Sequence, residues 1–198
     1  MKTRESGMPE ESLWATFFTP EEVLRKLGLP SAGDVVDFGR GYGTFTISAA
    51  KTTCGMVYAL DIDPEMVAIT QQKAAAVGLG NVRTSVRDFV ADGTGLSDAS
   101  VEYVMLFNIL HAECPNVLLH EAYRVLTPGG MLGIVHWNYD PTTPRGPAMA
   151  IRPRPEQCRE WAESAGFRLL EPGIIDLPPY HYGMTLECPQ CDNREHDL

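Results

Sequence analysis

Val35-Val36-Asp37-Phe38-Gly39-Arg40-Gly41-Tyr42-Gly43 is the stretch on which the fold turns. A β-branched pair leads into an acid and then into glycines at alternate positions, with a helix-compatible run from 44 to 50 behind them. That order describes a buried strand ending in a tight turn whose backbone passes close to a ligand, since glycine has no Cβ and tolerates positive φ. Asp61 closes a second apolar run downstream. The turn and the two acids together point to a nucleoside site.

Upstream, Thr19-Pro20-Glu21-Glu22 reads as a helix start, with Thr at the N-cap, Pro at the first helical position and Glu at the third. The helix is expected over 20–29, behind an aromatic group of Trp14, Phe17 and Phe18. Downstream, strands are expected at 34–38, 56–60, 82–86, 101–108, 131–137, 167–175 and 182–186. Helices are expected at 44–52, 64–77, 117–126 and 155–165, and 138–153 reads as a Pro-rich loop. Near-continuous apolar strands alternating with helices imply an α/β fold, Rossmann-like and doubly wound. The sheet is expected to be mostly parallel and seven-stranded, with an antiparallel strand at one edge and helices on both faces. Residues 1–198 are expected to form a single domain, with 1–13 and 188–198 as loosely held tails.

Composition narrows the function. Apolar residues make up 44% and charged residues 21%, as in an ordinary globular protein. A net charge of −10 argues against broad binding to nucleic acid or to an anionic membrane. The start has no apolar signal-peptide region, and no run approaches the ~18 apolar residues of a membrane span. Five scattered cysteines do not resemble a disulfide framework, so a reduced, cytoplasmic protein is expected. Cys188-Pro189-Gln190-Cys191, with His196 behind it, falls short of the four ligands of a closed zinc site, and no metal is expected.

The glycine spacing selects among nucleosides. A dinucleotide fingerprint needs glycine or alanine at 44, where Thr44 stands. It also places a pyrophosphate on the helix N-terminus, and an anionic Asp37 nearby is an electrostatic handicap. Asp37 suits a ligand that carries positive charge. Here the chain resembles the class I S-adenosylmethionine-dependent methyltransferases, over about residues 20–187. The resemblance rests on the stretch 35–43, on Tyr58-Ala59-Leu60-Asp61-Ile62-Asp63-Pro64-Glu65-Met66, on Arg87-Asp88-Phe89, and on Arg124-Val125-Leu126-Thr127-Pro128-Gly129-Gly130. It implies S-adenosylmethionine as cofactor. Gly39, Gly41 and Gly43 would let the backbone approach the methionine moiety, and Asp37 would organise the turn and favour the ammonium group. Asp61 would accept both ribose hydroxyls, Ile62 would pack on adenine, and Asp88 with the Phe89 backbone would read its edge. Asn108 would lie near the sulfonium. A second reading of the same region makes it only a helix cap, a task for which Asp63 is well placed.

The acceptor side is less distinct. Methyl transfer needs alignment, exclusion of water and, for some acceptors, a proton acceptor. His111 is the candidate base and acceptor contact. His136 and Trp137 are candidates to line the acceptor pocket, and Arg145 on the 138–153 loop is a candidate partner for an anionic group, as are Arg152 and Arg154. Each of these also has a plain structural or surface reading. Asn108-Ile109-Leu110-His111 stands where many amino-group and nucleobase methyltransferases carry an N-P-P-Y-like signature. The function expected is therefore methyl transfer to an unidentified small molecule. A catalytically silent, cofactor-binding regulatory protein is the alternative, and nicotinamide-dependent oxidoreduction is disfavoured by Thr44.

Overall fold

β1 (Val35–Phe38) is buried along its whole length, as an unbroken apolar run demands of a strand covered on both faces. In the computed structural model, which describes residues 11–14, 16–39 and 41–190, this strand sits near the middle of an eight-stranded sheet. β2 (Val57–Asp61) and β3 (Val82–Val86) extend the sheet on one side of β1, all parallel. β4 (Val101–Phe107) and β5 (Leu126–Trp137) extend it on the other, also parallel. β8 (His181–Glu187) runs antiparallel to β5, and β6 (Arg168–Leu169) and β7 (Ile175–Leu177) both pair with β8. The order β3-β2-β1-β4-β5-β8-β6 reverses at β1, so the glycine turn lies at the crevice where such sheets bind ligands.

Two apolar layers flank the sheet. One joins Phe38, Leu106, Ile134 and Met184 to Leu118 and Leu119 of α5 (Pro115–Val125) and to Ala162 of α6 (Pro155–Ser164). The other joins Val35, Met105 and Val135 to Leu24 of α2 (Pro20–Lys26), to Ala49 of α3 (Thr44–Thr52) and to Trp14 of α1 (Glu11–Trp14). α4 (Pro64–Ala76) connects β2 to β3.

Some element ends shift, most of all β5, which begins at Leu126 rather than 131, and other differences go further. The strand expected over 167–175 is two short strands, because Pro172-Gly173 forms a turn closed by Gly173 N–H to the Leu170 carbonyl and Pro has no ladder donor. The sheet therefore has eight strands, and the antiparallel strand lies inside the edge formed by β6 and β7. α2 stops at Lys26 because Gly28, at φ 71°, closes the helix with Leu29 N–H on the Leu24 carbonyl and Gly28 N–H on the Arg25 carbonyl. Glu11–Trp14 is helical with Trp14 buried, and Cys188 is buried where its N–H donates to the Gly130 carbonyl, prolonging the β5–β8 pairing. Of the expected tails, residues 11–13 are helical but exposed, whereas Cys188 is packed against the sheet. The rest of those expected tails, 1–10 and 191–198 with Cys191 and His196, lies outside the described residues.

Tyr103 locks the sheet to α2: its hydroxyl donates to the Leu27 carbonyl at 2.8 Å, which also accepts from Thr185 Oγ1 at 3.0 Å. A Cβ on Gly133 would stand 2.2 Å from that hydroxyl oxygen. Gly133→Ala is therefore expected to lower stability by about 1–3 kcal/mol. Tyr103→Phe in the same chain should return part of that loss, a coupling that a double-mutant cycle in urea unfolding will read.

Candidate active site

The ends of β1 and β2 are tied together. Gly39 N–H donates to the Leu60 carbonyl at 2.9 Å, and Gly41 N–H donates to Asp61 Oδ2 at 3.0 Å. Asp61 Oδ1 accepts from Asp63 N–H at 3.0 Å, while the Asp61 carbonyl accepts from Arg87 N–H at 2.7 Å. One residue thus joins the glycine turn, the entry to α4 and the end of β3. Gly39, Gly41 and Gly43 have φ of 68°, 52° and 76°, where an L-residue is strained. A Cβ on Gly39 would lie 2.7 Å from Ile109 Cδ1, and one on Gly43 would lie 2.6 Å from Thr70 Oγ1. Arg40, between the glycines, lies outside the described residues. The helix cap itself belongs to Asp63, whose Oδ1 accepts from Glu65 N–H at 2.8 Å, while Asp61 ties the cap residue to the glycine turn.

Around that clasp stand the other residues singled out by sequence. Asp37 is 2% exposed, and its Oδ2 accepts from Thr46 Oγ1 at 2.5 Å. Ile62 is 43% exposed, an apolar surface beside the Asp61 carboxylate. Asp88 Oδ1 accepts from the N–H groups of Val90 and Ala91, shaping the turn after β3, and Phe89 is buried edge-on to Phe38 with ring centroids 5.3 Å apart.

The opposite half of the rim is polar, with its side-chain atoms largely shielded from solvent. Asn108 takes the left-handed conformation at φ 56°, which Asn tolerates better than most residues, and its N–H donates to the Val135 carbonyl at 2.7 Å. The next turn brings the His111 ring to 5.6 Å from that of His136. Both amide atoms of Asn108, both ring nitrogens of His136 and Nδ1 of His111 are buried with no hydrogen-bond partner among the described residues. Burial holds His111 below the ordinary imidazole range, with the Arg152 charge adding to it. Burial depresses His136 much further, and the charges of His111, His181 and Arg152 act in the same direction.

Trp137 points to the other face of the sheet, as the residue after His136 must. There it packs on His181, its partner across the β5–β8 pair, with ring centroids 4.2 Å apart. Phe18 and Trp14 complete an aromatic box around His181 at 4.4 and 6.1 Å. Arg145 is exposed, and its carbonyl accepts from Arg152 Nη2. Arg152 is the loop's anchor, 7% exposed, donating to the carbonyls of Asn138, Asp140, Arg145 and Pro147 and to Thr143 Oγ1. The structure brings His111 and His136 together; it sets Trp137 on the far face and leaves the Arg145 side chain exposed.

Comparison with known proteins bears on the family. The methyltransferase-domain family model matches residues 35–130, the span from β1 to the Gly-Gly turn within β5. The demethylmenaquinone methyltransferase of Geobacillus kaustophilus is 30% identical over 118 residues, 56% of this chain and 48% of that protein. A ribosomal protein L11 methyltransferase of Geobacter metallireducens is 34% identical over 112 residues, 56% of this chain and 34% of that protein. The crystal structure of an S-adenosylmethionine-dependent methyltransferase from Aquifex aeolicus superposes with a TM-score of 0.78 at 27% identity, covering 87% of this chain and 90% of that one. Residues 35–130 match the methyltransferase-domain family model, and the fold is that of the class I S-adenosylmethionine-dependent methyltransferases. The chain spans half or less of the length of the curated relatives it matches.

The residues present fit S-adenosylmethionine, on which the Aquifex aeolicus methyltransferase depends. A turn with no Cβ, a carboxylate with two oxygens at the end of β2, an exposed isoleucine next to it and a buried acid at the end of β1 match a cationic purine nucleoside. Sequence reasoning missed Thr46 as the partner of Asp37, His181 as the neighbour of Trp137, and the inward role of Arg152. His181 was the one with a usable signal, since an antiparallel 182–186 strand beside 131–137 sets the two residues opposite each other.

The buried histidines make stability fall on acidification. Burial first, then the Arg152 charge, puts His181 down to about 3, against about 6.5 unfolded. Between those values the unfolded chain binds a proton that the native chain does not, so stability rises with pH through that window. At pH 5 the loss from His181 is about 2 kcal/mol relative to pH 7. His181→Phe, which keeps the aromatic box, is expected to flatten the pH dependence of Tm between pH 7 and pH 5, measured by circular dichroism.

Proposed function

We propose that this protein is an enzyme that transfers a methyl group from S-adenosylmethionine to a small-molecule acceptor. The cofactor, when bound, supplies a methyl group made electrophilic by its sulfonium. The single observation that carries the reading is the Asp61 clasp, in which one carboxylate fixes the glycine turn and faces the crevice beside exposed Ile62. Asp61 holds the ribose hydroxyls, Ile62 covers one adenine face, and Asp88 with the Phe89 backbone reads the adenine edge. Gly39, Gly41 and Gly43 admit the methionine moiety, whose ammonium group Asp37 favours. Asn108 stands by the reacting methyl group, and His111 and His136 line the acceptor side.

The desolvated polar atoms of Asn108, His111 and His136 support an enzyme over a silent cofactor binder, which has no use for them. The net charge of −10 supports a small acceptor rather than nucleic acid. The likeness to these proteins does not by itself name that acceptor, since the relatives include proteins named for demethylmenaquinone and for ribosomal protein L11. A single domain is the organisation we favour. Cys54, Cys114 and Cys158 are thiols, which supports a reducing, cytoplasmic setting, and among the described residues no helix is long and apolar enough to cross a membrane.

Calorimetry with S-adenosylmethionine, S-adenosylhomocysteine and NAD tests the reading. Asp61→Ala is expected to weaken S-adenosylhomocysteine binding by about 1.5–3 kcal/mol, the scale of hydrogen bonds to a charged group. Unchanged affinity in that variant refutes the ribose assignment. Tight NAD binding with no heat from S-adenosylhomocysteine overturns the whole reading.

A further inference from the structure

We infer that the acceptor presents an anionic oxygen, as a carboxylate or an acidic phenol, to the rim formed by Asn108, His111 and His136. The inference rests on the function proposed above and extends it to the acceptor's chemistry.

The first observation is the set of unpartnered atoms. Asn108 Nδ2 and Oδ1, His111 Nδ1 and both nitrogens of His136 are buried with no partner among the described residues. Buried polar groups are almost always paired. An amide N–H and two imidazoles gathered where β4 and β5 end supply the donors that an oxyanion needs.

The second is charge. Arg152 is 7% exposed and forms no ion pair among the described residues. Its N–H groups are taken up by the carbonyls of Asn138, Asp140, Arg145 and Pro147 and by Thr143 Oγ1. It therefore acts on the site through its charge and through the loop it holds, without a direct contact. Other charged and polar groups come from several elements, and Glu156 of α6 acts on Tyr182. β5 gives His136, the turn after β4 gives Asn108 and His111, and β8 gives His181 and Tyr182. The loop gives Asp140, which is exposed to solvent with Oδ1 on the Thr142 N–H and hydroxyl. Arg154, at the start of α6, lies over the Tyr139 ring at 3.8 Å. Two acids are buried on the cofactor side, Asp37 on β1, held by Thr46, and Asp61 at the end of β2, held by the Gly41 and Asp63 N–H groups.

This side of the rim thus combines one buried positive charge with neutral polar groups whose atoms are shielded from solvent, and in such surroundings charge acts strongly. An amine arriving as an ammonium ion meets repulsion from Arg152, and the imidazoles, held neutral by burial, are poor acceptors for its proton. An oxyanion meets attraction and has no proton to lose. Its lone pair forms the oxygen–carbon bond while the pair of the sulfur–carbon bond returns to sulfur, so the charges of acceptor and sulfonium cancel. Arg152 is a positioning residue in this scheme, acting through the field and the 138–152 loop.

The test is calorimetry on the full chain saturated with S-adenosylhomocysteine, near neutral pH. It uses benzoate, 4-nitrophenol, benzyl alcohol and benzylamine, which share one ring and differ in charge. At least one of the two anions is expected to bind about tenfold or more tighter than benzyl alcohol, with benzylamine weakest. Which anion wins separates a carboxylate acceptor from a phenolic one. Arg152→Gln is expected to shrink the anion's advantage over benzyl alcohol to about twofold, a change of selectivity that loss of packing alone does not produce. Binding of S-adenosylhomocysteine certifies that the variant is folded; if it is not, the native-chain series still decides. Equal affinities across the series, a preference for benzylamine, or no binding of any of the four overturns the inference. Failure of S-adenosylhomocysteine itself to bind overturns instead the function on which it rests.

Discussion

The Asp61 carboxylate is the constraint on which the crevice depends. A glycine turn that leaves a strand with three positive φ angles exposes backbone N–H groups that no ladder or helix can take up. Asp61 accepts one of them from Gly41 and another from Asp63 at the mouth of α4. Two oxygens on one side chain therefore set the turn after β1 and the helix entry after β2 in a fixed relation. The Arg87 N–H on the Asp61 carbonyl adds the end of β3, where Asp88 begins its own turn. With these geometries settled before a ligand arrives, less ordering remains to be done on binding.

The other half of the crevice follows from strand direction. β8 returns antiparallel beside β5, so Trp137 stands opposite His181 on one face and His136 opposite Tyr182 on the other. The first pair receives the aromatic residues Trp14, Phe17 and Phe18 that precede α2, forming an apolar wall. The second pair lies with His111 and remains polar. The chain then turns into the 138–153 segment, where Arg152 gathers several carbonyls into one shape. Gly146 fits there because a Cβ would come within 2.9 Å of Trp137 and of Arg152.

Periodicity and glycine placement made most of the fold legible. The strands of the parallel half are signalled by apolar runs, and α3 begins and ends where the glycines and Thr53 require. What escaped was set by long-range pairing. Pro172-Gly173 is a turn signal within 167–175, but the two short strands on either side of it are defined only when β8 is in place to pair with both. The same holds at the site. Asp61 was legible as an acid closing an apolar strand, but its division of labour with Asp63 needed coordinates. Arg152 looked like a surface residue in a Pro-rich loop, since its acceptors are backbone carbonyls that a sequence does not display.

Elsewhere the chain leaves little polar capacity unused. The Asn81 amide alone donates to the carbonyls of Ala50, Thr53 and Gly55, and Glu121 is held low, near 2, where Arg124 and Thr94 outweigh its burial. Against that background the unpartnered buried atoms stand out. Those of Asn108, His111 and His136 gather where β4 and β5 end, those of His181 lie in the aromatic box on the other face, and Thr70 Oγ1 lies against Gly43 in the cofactor turn. Each unpaired group costs about 1–3 kcal/mol, so a sequence under pressure for stability alone would replace them with apolar residues of similar shape. Among the described residues, the unpaired atoms of Asn108, His111 and His136 form one group on the His136 face of the sheet, a group arranged for something the chain itself does not contain.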